Sequence, residues 1–137
     1  MERYVLEALQ KAVIQAVAPT SLPVKYLGRT FEIDSTDKWV EVVYIPNNIE
    51  NQYWDDSKTF RGVMRLVLHW PVDDAGVYSA LDIASDISDG FLKGSKFSDT
   101  GVNVTVMVTE EPNVEGVMEQ APEILIPITV RYSYFKA

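Results

Sequence analysis

One imidazole and scattered carboxylates are all the chain offers for acid–base or metal chemistry. His69 is the only histidine and cysteine is absent, so disulfides, thiolate metal sites and cysteine nucleophiles are excluded, and any metal site would rest on carboxylates. His69 falls in the middle of an alternating run, a setting that favours a structural or interface role over general acid–base work. Asp73 and Asp74 follow Trp70-Pro71. Two adjacent carboxylates can hold a divalent cation, but these stand just ahead of a helical pattern, where one can cap the helix and both suit its positive end. Asp55–Asp56 and Glu110–Glu111 read as solvated loop charges. Gly28, Gly90, Gly94 and Gly101 are scattered punctuation, not a phosphate loop, and no Gly-x-Ser-x-Gly elbow occurs. Asn103-Val104-Thr105 matches a glycosylation acceptor, although it lies in a strand pattern. These residues supply no catalytic set, and the expectation is a non-enzyme with no cofactor and no metal.

What remains is a surface. Arg61, Arg65 and His69 fall on one side of a strand, because side chains alternate with period two. Arg131 and Ser133 take the corresponding side of the last strand, beside Leu125, Pro127 and Phe135. A sheet face mixing cations with large apolar groups, in an otherwise acidic molecule, suits a protein–protein contact. An ordinary solvated face with a few exposed hydrophobics is the competing reading. Tyr53 and Trp54 sit in the connection Ile49–Thr59, where exposed rings would suit a contact surface; alternatively both rings fold back onto the sheet. The candidate interface is therefore Tyr53, Trp54, Arg61, Arg65, His69 and Arg131.

The elements that must position these residues are legible from periodicity. Val5, Leu6, Leu9, Val13, Ala16 and Val17 form a helical stripe within residues 2–18, which Pro19 ends. Trp39–Ile45 alternates with apolar residues on both sides, as in a strand inside a sheet, and Pro46-Asn47-Asn48 terminates it. Ile49–Thr59 then forms a long hairpin excursion. Phe60, Gly62, Met64, Leu66, Leu68 and Trp70 line the other side of the strand that carries the arginines, and Pro71 stops it. Val77, Ala80, Leu81, Ala84, Ile87 and Phe91 recur at helical spacing, with Gly90 suited to a left-handed cap. Lys93–Gly101 reads as a flexible connector, Val102–Val108 as a half-buried strand, and Glu110–Pro122 as a second excursion. Ile124, Ile126, Ile128, Val130, Tyr132 and Tyr134 line a last strand, in which Pro127 implies a sheet edge or a bulge. Two helices needing one apolar sheet face predict an α/β fold of the two-layer α+β kind. Its sheet is expected to be mixed, largely antiparallel and of about four to five strands, with both helices on one face.

The totals agree. At 137 residues the chain suits one domain spanning 1–137, and 47% hydrophobic with 23% charged residues is an ordinary globular balance. The net charge of −8, from 20 acidic and 12 basic residues, argues against tight binding along a nucleic-acid backbone. No stretch is apolar enough to span a bilayer, and Glu2, Glu7, Gln10 and Lys11 interrupt any leader-like core. The expectation is a protein made in the cytoplasm.

The chain also resembles a known family: the tail terminator, or tail-completion, proteins of siphovirus-type long-tailed bacteriophages and prophages. The similarity is carried by Tyr4–Ala18, by Trp39–Asn48 (WVEVVYIPNN), by Phe60–Phe91 (FRGVMRLVLHWPVDDAGVYSALDIASDISDGF), by GVNVTV from Gly101 and by ILIPITVRYSYF from Ile124. These are whole segments without a catalytic fingerprint. The resemblance implies a structural virion protein that forms a ring, typically a hexamer, on the last ring of the tail tube. It would stop tube polymerisation and provide the surface for head attachment. Its partners would be its own copies, the tail tube protein and a head–tail connector protein, with DNA sliding through the pore without specific binding. A negative lumen would suit that passage, with Asp55, Asp56, Glu110 and Glu111 as its possible sources. The competing readings are another head–tail connector or minor tail component, or a small-molecule-binding α+β domain with a polar cleft.

Overall fold

The computed structural model describes residues 2–26, 38–51, 58–72, 77–98, 104–120 and 123–136. In chain order the elements are α1 (Glu2–Val17), β1 (Val24–Lys25), β2 (Trp39–Asn51), β3 (Lys58–Pro71), α2 (Tyr78–Ser88), β4 (Lys96–Ser98), β5 (Val104–Val108), β6 (Asn113–Val114), β7 (Met118–Gln120) and β8 (Glu123–Lys136). They form the two-layer α+β fold expected: a mixed, mostly antiparallel sheet in the order β1-β2-β3-β8-β5-β4, backed by two helices. β1 is the parallel member, with Val24 opposite Val40. The sheet is wider than the periodicity suggests because β1, β4, β6 and β7, of two or three residues each, join the four longer strands. Such pieces are too short to show an alternation of their own.

One face of the sheet carries the core. Val40 and Val42 of β2, Met64, Leu66, Leu68 and Trp70 of β3, Val106 and Val108 of β5, and Ile124 through Tyr134 at every second position of β8 are all buried. Against them pack Val5, Ala8, Leu9, Ala12, Val13 and Val17 of α1 and Ala80, Ala84 and Ile87 of α2. At about 1.5–3 kcal/mol for each large side chain, this burial is the main term holding the layers together. Phe91 closes the layer beyond α2, meeting Phe97 edge-on at 5.8 Å.

Four local readings need correction. β2 does not stop at Pro46: it continues through an irregularity between Pro46 and Ile49, pairing with β3 out to Asn51 and Lys58. Five of the eleven residues of the expected excursion Ile49–Thr59 therefore belong to the paired strands, and 52–57 lie outside the described residues. Gly90 is not a left-handed cap. The chain tightens into a 3₁₀ turn over Asp89–Phe91, and among the described glycines only Gly94 has a positive φ, of 88°. Gly90 instead makes room for α1, because a Cβ there would lie 2.7 Å from that of Ala16. α2 begins after Val77 without a side-chain cap; Asp73 and Asp74 lie outside the described residues.

The fourth correction concerns Glu110–Pro122 and Pro127. That acidic segment follows β8 in steps, with Asn113 opposite Thr129 and Met118 opposite Leu125. β8 is consequently central, flanked by β3 along one side and by β5, β6 and β7 in turn along the other. Pro127 is tolerated there for a geometric reason. Its carbonyl accepts a hydrogen bond from the Glu115 amide at 2.8 Å, so its nitrogen points to that same edge, since a strand residue's N and O share a side. The pairing is interrupted there, between β6 and β7. The missing N–H removes no bond to β3.

Candidate assembly face

The second sheet face, against which no helix packs among the described residues, holds the sequence-derived candidates. Arg61, Arg65 and His69 project from alternate positions of β3, and Arg131 projects from β8 opposite Val63. Tyr53 and Trp54 lie outside the described residues. The structure thus brings four of the six candidates onto one face, but it does not leave them as an open cationic row.

His69 is the most enclosed, at 8% exposure. Its ring stacks on Trp39, its register partner on β2, with centroids 3.7 Å apart and planes 6° from parallel. Nε2 lies 3.2 Å from Glu41 Oε2, and Nδ1 lies 3.3 Å from Glu123 Oε2. A neutral imidazole donates from one nitrogen only, whereas the imidazolium donates from both. The neutral ring can therefore donate to only one of the two carboxylates, from β2 or from β8, and the imidazolium to both. With both nitrogens committed to carboxylates, it presents no free base to a substrate.

Arg65 reaches across β8, placing Nη2 3.6 Å from Glu115 Oε1. The same oxygen accepts a hydrogen bond from Thr129 Oγ1 at 2.6 Å, and Thr129 is itself buried. Arg131 Nε lies 3.4 Å from Glu110 Oε2, in a pair whose side chains are 56% and 67% exposed. A pair so exposed is worth only about 0.2–1 kcal/mol. Beside it, Arg61, Val63, Thr109, Glu110 and Arg131 surround an open pocket of about 280 Å³.

The glutamates on this face are what the sequence reading missed. The charge pattern of the sequence puts Glu110 among solvated loop charges, and Glu41, Glu115 and Glu123 do not stand out in it. Period two puts Glu41 on the side of Trp39, a usable signal. Period two likewise puts Glu123 on the side of Leu125, diagonal to His69 across the β3–β8 pairing; only Glu115 meets its partners through the stepped register along β8, which no local pattern announces.

The chain is thus a two-layer α+β domain whose helices back one sheet face while the other carries paired charges. A profile of the family described as "Phage tail terminator protein" matches residues 4–132, and the chain belongs to that family. Its role is accordingly that of a structural protein of phage tails. A solved chain that carries no functional name matches with a TM-score of 0.81 at 20% identity, over 100% of this chain and 97% of its own. A chain of the virion of a native gene transfer agent particle matches with a TM-score of 0.65 at 13% identity, over 98% of this chain and 96% of its own. At those identities the two likenesses bear on the fold alone. No curated protein matches. Among the described residues no helix is long and apolar enough to cross a membrane.

Proposed function

We propose that this chain acts as a ring, most simply a hexamer, on the head-proximal end of a siphovirus-type phage tail. There it ends tube polymerisation and presents the surface on which the head docks. The observation that carries this reading is the family match over residues 4–132. The architecture supports it, because both helices pack on one sheet face while Ile45 and Arg131 are well exposed on the other. Its partners in this reading are its own copies, the tail tube protein and a head–tail connector protein. DNA passes through the lumen without specific binding, in keeping with a net charge of −8. A ring needs a heterologous interface whose rotation closes.

The test is electron microscopy of particles assembled without the chain. Overlong tails detached from heads are expected. Tails of normal length joined to filled heads would overturn the reading.

A further inference from the structure

α2 presents an outward stripe that is unfavourable for the helix on its own. Tyr78, Asp82, Asp86 and Asp89 recur at helical spacing, and Tyr78 is 79% exposed. Like charges four residues apart repel. Asp86 and Asp89 also sit at the helix C-terminus, the end that favours cations, and no basic residue occupies its last turn. Among the described residues none of the three aspartates makes an ion pair. The stripe is thus an anionic surface with an aromatic ring at one end.

The complementary surface lies on the opposite side of the same strands. α2 packs on β3, β6 and β8 from the helix side. On the open side, β3 and β8 carry Arg61 and Arg131, which border the 280 Å³ pocket. Arg61 is exposed, and the Arg131–Glu110 contact is exposed enough to exchange readily. The dimensions agree. Asp82 to Asp86 spans about 6 Å along the helix, and Arg61 and Arg131, diagonal neighbours on paired strands, lie about 7–8 Å apart. A guanidinium can pair with a carboxylate and also stack on a tyrosine ring.

We propose that copies of this chain associate face to back, with Tyr78 and the aspartates of α2 on one copy docking at the Arg61–Arg131 pocket of the next. Opposite faces of one molecule then meet, which makes the contact heterologous and able to close into a ring. The inference rests on the ring reading above and names the two surfaces that build it.

The chain has no cysteine, so a disulfide trap reports the contact directly. Asp86→Cys and Arg61→Cys would be made singly and together, with circular dichroism confirming the fold. Oxidation would be carried out on the purified chain and on isolated tails. Mixed single variants are expected to form dimers, the double variant a ladder of linked copies, and each single variant alone nothing. Dimers from Asp86→Cys alone would mean helix-to-helix contact and overturn the proposal. Rings on the tails with no cross-link would overturn it while leaving the ring reading intact. A chain monomeric in solution and absent from tails would overturn both. Charge exchange gives an independent measure. Arg61→Glu with Arg131→Glu should lower incorporation into tails at least tenfold, and adding Asp82→Arg and Asp86→Arg to the same chain should restore it. Failure of that restoration also counts against the contact.

Discussion

Replacing His69 by alanine tests whether this residue is a clamp within the chain or a contact with a partner. The substitution removes a ring stacked on Trp39 at 3.7 Å, worth about 0.5–1.5 kcal/mol. It also removes two contacts to carboxylates that are 32% and 40% exposed, which at about 0.2–1 kcal/mol each add roughly 0.4–2 kcal/mol. Glu41 and Glu123 regain water once the imidazole is gone, so no large penalty for a stranded charge is added. The expected loss is about 1–3 kcal/mol. For a chain of 137 residues, that corresponds to a fall in Tm of about 4–12 °C. Urea unfolding followed by tryptophan fluorescence measures it, because Trp39 reports on the stack itself. A cycle pairing His69→Ala with Trp39→Leu should give a coupling of about 0.5–1.5 kcal/mol. Arg131→Ala, which loses only an exposed pair, should stay within about 0.5 kcal/mol of the parent. If His69→Ala keeps full stability and instead prevents tube capping, the clamp reasoning is wrong and the imidazole works on a partner.

Two glycine positions give sharper steric tests. A Cβ at Gly62 would collide with the phenol of the fully buried Tyr132, so Gly62→Ala should cost about 1–3 kcal/mol in urea unfolding. The same change in a Tyr132→Leu background should cost close to nothing, and equal costs in both backgrounds would refute the contact. Gly90→Ala puts a methyl 2.7 Å from the Ala16 Cβ and should also destabilise by about 1–3 kcal/mol. Ala16→Gly should recover most of that despite its own helix cost of about 1 kcal/mol. A stabilised Gly90→Ala, as backbone entropy alone would give, would show that the helices do not approach there as described.

Much of the layer structure was legible because alternation and helical spacing are local. The even positions of β3 and β8 and the two helix stripes entered the core nearly as their periodicity requires. The misread places are those where a distant partner decides the local outcome. Pro46 looked like a strand end, yet β3 continues alongside it and the ladder resumes at Ile49 after one irregularity. Pro127 looked like an edge or bulge marker, yet its strand is central, and the irregularity that accommodates it lies in the neighbouring segment. Gly90 looked like a cap from its position after a helix, whereas its requirement comes from Ala16, far away in sequence. The candidate face divides in the same way. The shared side of Arg61, Arg65 and His69 follows from period two. The pairing of Arg65 with Glu115, and of His69 with Glu41 and Glu123, follows from strand order.

That division has a consequence for how one face can serve two purposes. At one end, His69 and Trp39 are 8% and 6% exposed and stacked on each other, and His69 meets carboxylates from both flanking strands. A partner could engage them only by undoing contacts that fasten β2, β3 and β8 together. At the other end, Arg131 and Glu110 are more than half exposed, beside the exposed Arg61 and an open pocket, so a carboxylate from outside can replace the internal one at little cost. Arg65 lies between, with its pair to Glu115 fixed by the buried Thr129. Substitutions along β3 should therefore change character with position: loss of stability near His69, and loss of association with an intact fold near Arg61. A period-two reading groups these residues as one face, but burial separates them into a buried half around His69 and an exposed half around Arg61 and Arg131.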